Sequence, residues 1–193
     1  MSGRLLRSGA VLAALLFLSL SLASCGSSGF DEANKLIQSG SEDIKAIDKI
    51  VKDNQDKERE ISNAIYNNDT SKAITLLDDT LKTIDAGLEK AESAAGKFDR
   101  ASKLDIDSTI KEYLSLRAQS VSKAIEAFKE LRKGVAALRE SLGKNDPAAE
   151  AKARSDFRET SERFQQLISD AQRLEGQAAE IARRNPDKIK PGL

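Results

Sequence analysis

The fold class of this chain is decided by residues 74–98, ITLLDDTLKTIDAGLEKAESAAGKF, in which apolar residues recur at alternating spacings of three and four. This heptad spacing is typical of helices that pack along one apolar stripe against other helices. The members of the stripe are Ile74, Leu77, Leu81, Ile84, Leu88, Ala91, Ala95 and Phe98. The stretch therefore predicts a long amphipathic helix.

The segments on both sides of this stretch repeat its pattern and are separated by turn signals. One helix is expected to end at Gly143, and the next to begin after Asp146 as its N-cap, with Pro147 in its first turn. Another helix is expected to begin after Asn67, with Asp69 or Thr70 as its N-cap. The predicted helices cover residues 31–67, 69–103, 107–143 and 146–184, and residues 185–193 are expected to be a polar tail.

Composition supports an all-α fold. Ala, Glu, Lys, Leu and Arg make up about half of the 193 residues, and proline is absent before Pro147. Short connections make neighbouring helices antiparallel, so the sequence predicts an up-down-up-down four-helix bundle with long, coiled-coil-like helices of about 35 residues.

The residue inventory argues against an enzyme. The chain has no histidine, no tryptophan and one cysteine, Cys25. Histidine-based nucleophile systems, histidine metal ligands and an internal disulfide are therefore excluded. We expect no catalytic residues, no metal and no cofactor other than a covalent lipid. Nucleic acid is not expected as a partner, since 31 basic and 31 acidic residues alternate without a basic stripe.

The N-terminus has the layout of a signal peptide. Arg4 and Arg7 give a positive start, and residues 10–20 form an apolar run too short to span a bilayer. The run ends in Leu22-Ala23-Ser24-Cys25. Residues 1–24 are predicted to be removed, and residues 25–30 to carry the lipidated cysteine and a short tether.

The stretch Leu22–Cys25 resembles the lipobox of bacterial lipoproteins. The resemblance implies a diacylglycerol thioether on Cys25, acylation of the new N-terminus (palmitate, for example) and an extracytoplasmic location on a bacterial membrane. That membrane would be the outer membrane of a Gram-negative cell or the outer face of a Gram-positive cell membrane. The alternative is ordinary cleavage near Ala23, which would leave a free thiol.

Polar residues interrupt the apolar stripes at two levels. At the first, Arg117 occupies a stripe position, with Glu175, Asp99 and Tyr113 within possible reach and Gly40, Gly96 and Gly176 expected nearby. Arg117 either pairs with an acid to fix the helix register or snorkels outward, or it contributes to a ligand-binding layer. At the second level, Asn54 and Glu58 are expected to face Gly134 and Arg154 or Arg158.

Two function hypotheses remain open from the sequence. The first is a non-enzymatic, membrane-anchored lipoprotein that binds another envelope or extracellular protein. The second is a small-ligand-binding or sensor bundle that uses the Arg117 layer. The oligomeric state is not indicated by any pattern in the chain.

Overall fold

A computed structural model describes residues 28–53, 57–144 and 146–189, and in that part of the chain the protein is all-helical, without a strand. The predicted signal peptide and Cys25 lie outside the described residues. Five helices are present, with the bounds α1 Ser28–Asp53, α2 Lys57–Tyr66, α3 Thr70–Ser102, α4 Ser108–Lys144 and α5 Pro147–Arg184.

Two predicted helix starts are confirmed together with their caps. Asp69 precedes α3 and accepts a hydrogen bond from the Lys72 backbone N–H at 3.1 Å. Asp146 precedes α5 and accepts one from the Ala148 N–H at 2.9 Å. These carboxylates satisfy N–H groups of the first turn, which have no partner within the helix.

The region predicted as a single first helix, 31–67, is described as two helical segments, α1 and α2, and residues 54–56 between them lie outside the described residues. The sequence from Lys52 to Glu60 contains no apolar side chain. Both α1 and α2 pack on α3, one after the other along its length.

The helices α1, α3, α4 and α5 pack in this order, and each runs antiparallel to the next. Close packing joins α1 to α3, α3 to α4 and α4 to α5. Between α3 and α4 the direction is fixed by two bidentate ion pairs, Arg139 with Asp78 and Arg132 with Asp85. As the basic member moves seven residues back along α4, its acidic partner moves seven residues forward along α3.

One continuous core runs between the helices. Its largest fully buried side chains include Ile37 of α1, Leu77 and Phe98 of α3, and Tyr113 and Leu114 of α4. The stripe on α3 predicted from the sequence contributes buried Leu77, Ile84, Leu88, Ala91 and Phe98, while Ile74, Leu81 and Ala95 are partly buried against the same core.

The two ends of the described chain differ from the predicted tether and tail. α1 begins at Ser28, inside the predicted tether 25–30, and a Cβ at Gly29 would stand 3.0 Å from the Asp105 carbonyl oxygen. In the predicted tail, Ile189 is completely buried and Lys188 pairs with Asp107 at 2.8 Å. An apolar residue five positions after the end of α5 thus closes one end of the core.

Candidate functional site

Arg117 lies in the interior of the protein, as its place in the apolar stripe of α4 requires. Helical periodicity puts Arg117 on the same face as Leu114, Val121 and Ala124, all of which are buried. Only 4% of Arg117 is exposed to solvent. A charged residue at such a position needs a specific set of partners, because burial of an unpaired charge is strongly unfavourable.

The partners of Arg117 come from three helices. Its Nη1 donates a hydrogen bond to the Tyr113 hydroxyl at 2.8 Å, one helical turn away on α4. Its guanidinium carbon stands 5.1 Å from the ring centroid of Phe98 on α3 and 5.8 Å from that of Tyr113, within cation–π range. Its Nε is 3.2 Å from Oε2 of Glu175 on α5.

The contact between Arg117 and Glu175 is close but poorly aligned. Arg117 Nε and Glu175 Oε2 are both buried, and among the described residues neither atom has a hydrogen-bond partner of acceptable geometry. We therefore describe the pair as an ionic contact rather than a hydrogen-bonded salt bridge. Such a pair leaves part of the desolvation penalty of both groups uncompensated.

Burial and neighbouring charges shift the pKa values of the ionisable groups in this layer. Burial raises the pKa of Glu175, and the attraction of Arg117 offsets this only in part. Burial also raises the pKa of Tyr113. Although burial acts to lower the pKa of Arg117, Tyr113 and Glu175 outweigh it, so the guanidinium stays charged.

Of the four residues predicted for this layer, the structure brings together Arg117, Tyr113 and Glu175 and leaves out Asp99. The Asp99 carboxylate instead binds Lys103 at 2.6 Å, one turn further along α3, with half of its side chain exposed. Asp99 directly follows Phe98, and since Phe98 points into the core, its neighbour points away from Arg117.

Of the three glycines expected near Arg117, only Gly40 lies against this layer. A Cβ at Gly40 of α1 would stand 2.9 Å from Phe98 Cε1, so glycine here lets α1 approach the ring that lies beneath Arg117. Gly96 and Gly176 are exposed, and a Cβ at either would meet no atom within 4 Å. These two glycines lie at the right level but on the outer face of their helices.

The second predicted polar layer falls mostly on residues whose side chains are not described. Asn54 lies outside the described residues, as do the side chains of Glu58 and Arg154, and Arg158 is exposed. Gly134, which was expected to face this layer, packs against Thr160 and Phe157 of α5.

Sequence reasoning missed a second buried charge, Asp43 of α1. Its carboxylate is bound by Lys97 at 2.6 Å and by Lys90 at 3.4 Å, both from α3. Burial acts to raise the pKa of Asp43, but the hydrogen bonds from Lys97, Ser93 and Lys90 hold it below its ordinary value. The available signal was the seven-residue spacing of Lys90 and Lys97, which places two cations on one face of α3.

Sequence reasoning also missed Ser120, which is completely buried where α4 meets α5. Its hydroxyl donates a hydrogen bond to the carbonyl oxygen of Ala171 at 2.8 Å. Helical spacing puts the small residues at positions 124 and 127 on the same side of α4 as Ser120.

Among the described residues, no group of three or more His, Cys, Asp or Glu side chains is arranged to hold a metal ion. Within the same residues, no helix is both long enough and apolar enough to cross a membrane. No family model, curated protein or solved structure matches this chain.

Proposed function

We propose that this protein is a bacterial lipoprotein, held on the outer side of a membrane through a lipid on Cys25, whose helical domain binds another envelope or extracellular protein without catalysis. The observation that carries the proposal is the short distance along the chain from the lipobox cysteine to the folded domain. α1 begins at Ser28, three residues after Cys25, and its Gly29 already packs against the turn between α3 and α4.

This connection gives the domain a membrane-facing end. The start of α1, the turn at Asp105 and the Lys188–Asp107 ion pair lie at one end of the helices. The α2–α3 turn at Asn67–Asp69 and the start of α5 at Pro147 lie at the other end. Since α3 has 33 residues, the two ends are about 50 Å apart at 1.5 Å per residue.

We further propose that the five helices form a four-helix bundle in which α1 and α2 together occupy one position. The antiparallel succession α1, α3, α4, α5 and the packing of α2 on α3 beyond α1 support this arrangement. A bundle of this kind would hold the far end of the domain away from the bilayer surface.

The far end carries the feature best suited to a protein partner. Tyr66, the last residue of α2, is 86% exposed, and it is the only large hydrophobic residue exposed to this degree in the described chain. Tyrosine is enriched at protein interfaces because its ring buries a large apolar area while its hydroxyl hydrogen-bonds.

Membrane fractionation with labelled palmitate tests the anchor. We expect the native protein to incorporate palmitate and sediment with membranes, and the Cys25→Ser variant to lose both properties. Ser27→Ala, two residues away, is the matched control and should behave like the native protein. Retention of Cys25→Ser in the membrane fraction would refute the lipid anchor.

Site-specific photo-crosslinking in cells tests the partner. A crosslinker at position 66 should yield one dominant protein adduct, whereas the same crosslinker at exposed Lys133, on the side of α4, should not. The adduct should also disappear when purified native domain is added in excess. Equal adducts from both positions would contradict binding at the far end.

A further inference from the structure

We propose that the membrane-facing end of the domain rests on the bilayer, with the turn between α3 and α4 in the headgroup region and the helices standing away from the surface. The turn, residues 103–107, has the sequence Lys-Leu-Asp-Ile-Asp. Its partner is a zwitterionic phospholipid surface. This inference rests on the proposed lipid anchor at Cys25, and it adds a second contact with the membrane, made by the folded domain itself.

The connection from Cys25 to the first helix is too short to hold the domain clear of the membrane. Ser28 already belongs to α1. Three residues span at most about 10 Å, even when the chain is fully extended. The headgroup region between the hydrocarbon core and water is roughly 5–7 Å thick on each side of a bilayer. With the lipid of Cys25 in the hydrocarbon core, α1 therefore begins among the headgroups or directly above them.

The start of α1 fixes the position of the turn relative to the membrane. A Cβ at Gly29 would stand 3.0 Å from the carbonyl oxygen of Asp105, so the backbone of the turn lies against the second residue of α1. The segment after α5 lies at the same end, because Lys188 pairs with Asp107 at 2.8 Å. The turn is thus held at the level where the anchor brings the chain to the bilayer.

The turn carries apolar side chains that the core covers only in part. Leu104 and Ile106 are partly buried against the core, and so is Phe30 in the first turn of α1. By contrast, the turn at the other end of α3, Asn67–Asp69, is polar and exposed. Contact with lipid removes the remaining apolar area of Leu104 and Ile106 from water, which is favourable in proportion to that area.

The charges near the turn favour a surface without strong net charge. Lys103 binds Asp99 at 2.6 Å and Lys188 binds Asp107 at 2.8 Å, so each of these cations is matched by an acid. Attraction to an anionic membrane comes from clusters of basic residues, and these pairs supply no net positive charge. The side chain of Asp105 is exposed, and an anionic surface would repel it. A zwitterionic lipid such as phosphatidylcholine or phosphatidylethanolamine fits this end better.

Fluorescence quenching in vesicles tests the proposal on the protein with its lipid. Cys25 is the only cysteine and its sulfur is blocked by the lipid, so one introduced cysteine can be labelled selectively with a fluorophore. The label is placed at Asp105→Cys in the turn, and the matched exposed controls are Gly96→Cys, further from the membrane along α3, and Asn68→Cys at the far end. The phosphatidylcholine vesicles carry spin labels on their headgroups. We expect the spin labels to quench more than half of the fluorescence at position 105, less at position 96 and none at position 68.

Flotation of the same samples separates the anchor from the contact. If the protein floats with the vesicles but position 105 is not quenched, the anchor holds and the contact of the turn with the membrane is refuted. Equal quenching at all three positions would mean that the helices lie flat on the bilayer, which also overturns the proposal. A protein that does not float at all would remove the anchor and this inference together.

The lipid composition tests the chemistry of the contact. When anionic phosphatidylglycerol is added to the vesicles, quenching at position 105 should not rise. A clear rise would show that basic side chains make the contact, and it would overturn the assignment of a zwitterionic surface.

Discussion

Gly134 of α4 lies directly against Thr160 of α5. A Cβ added at Gly134 would overlap Thr160 Oγ1 and stand 3.0 Å from Phe157 Cδ2. Both Gly134 and Thr160 are buried, so the absence of a side chain at position 134 allows the two helices to approach closely.

The variant Gly134→Ala should therefore be destabilised. Forcing an extra carbon into a packed interface costs about 1–3 kcal/mol, and the higher helix propensity of alanine returns up to about 1 kcal/mol. We expect a net loss of about 1–2 kcal/mol in the free energy of unfolding, measured by urea denaturation. Gly96→Ala is the matched control, because a Cβ there meets no atom within 4 Å, and it should stabilise by about 0.5–1 kcal/mol. Equal effects of the two variants would contradict the close approach.

The Asp43 carboxylate should contribute more stability than any acid on the outer faces. Asp43 is 7% exposed and binds Lys97 and Lys90, so Asp43→Ala removes charge-assisted hydrogen bonds from a buried position. We expect a loss of about 1.5–3 kcal/mol. Asp79→Ala is the control, since the Asp79 carboxylate makes a 3.5 Å contact with exposed Lys82, and it should change stability by no more than about 0.5 kcal/mol.

Asp43 should also make the stability of the protein depend on pH. Its pKa in the folded protein lies below the ordinary value of 3.8, so the folded state favours the ionised form. The stability advantage over Asp43→Asn should be fully present above about pH 4, and it should shrink as the pH falls through the lowered pKa. An advantage that stays constant down to pH 2 would mean that the hydrogen bonds to Lys97 and Lys90 do not form in solution.

The heptad pattern predicted the helices well and their partners poorly, for a physical reason. Periodicity identifies which side of a helix is buried, and this correctly placed Arg117, Leu77 and Phe98 in the interior. Periodicity does not show which of the neighbouring helices each buried or half-buried residue contacts. Asp99 was therefore expected near Arg117 although it lies one residue round the helix from Phe98, and Asp43 was overlooked although Lys97 covers it.

The ends of the chain show a second limit of the sequence. Ser28 and Gly29 are small residues typical of a flexible tether, and the short segment after Asn185 has the composition of a polar tail. Both segments are ordered by tertiary contacts, Gly29 with Asp105 and Lys188 with Asp107. Contacts between residues about eighty positions apart leave no local sequence pattern, so they could not be predicted from the sequence.

Ile189 should stabilise the domain although it follows the last helix. Its side chain is completely buried in the core, so Ile189→Ala removes buried methylene groups. We expect a loss of about 2 kcal/mol, at the low end of the range for such substitutions, because the end of a core can partly collapse around the missing atoms. Exposed Asp187→Ala is the control and should leave the unfolding midpoint nearly unchanged. A negligible effect of Ile189→Ala would show that the segment after α5 is not docked in solution.

Glu175 should make the protein less stable at neutral pH than a neutral side chain of the same shape would. Burial raises its pKa above the ordinary value of 4.5, so the folded state binds a proton more tightly than the unfolded state does. The contribution of Glu175 is therefore most favourable below pH 4.5 and is lost as the pH rises through the raised pKa. Glu175→Gln resembles the protonated form and should be at least as stable as the native protein at pH 7. Urea denaturation of both proteins from pH 4 to pH 8 checks this. The readout is the difference between their free energies of unfolding at each pH. Acids with lowered pKa values, such as Asp78 and Asp85, make both proteins more stable as the pH rises, and taking the difference removes their effect. If Glu175→Gln is less stable at pH 7 and the gap closes toward pH 4, the ion pair with Arg117 outweighs burial and the pKa of Glu175 is lowered rather than raised.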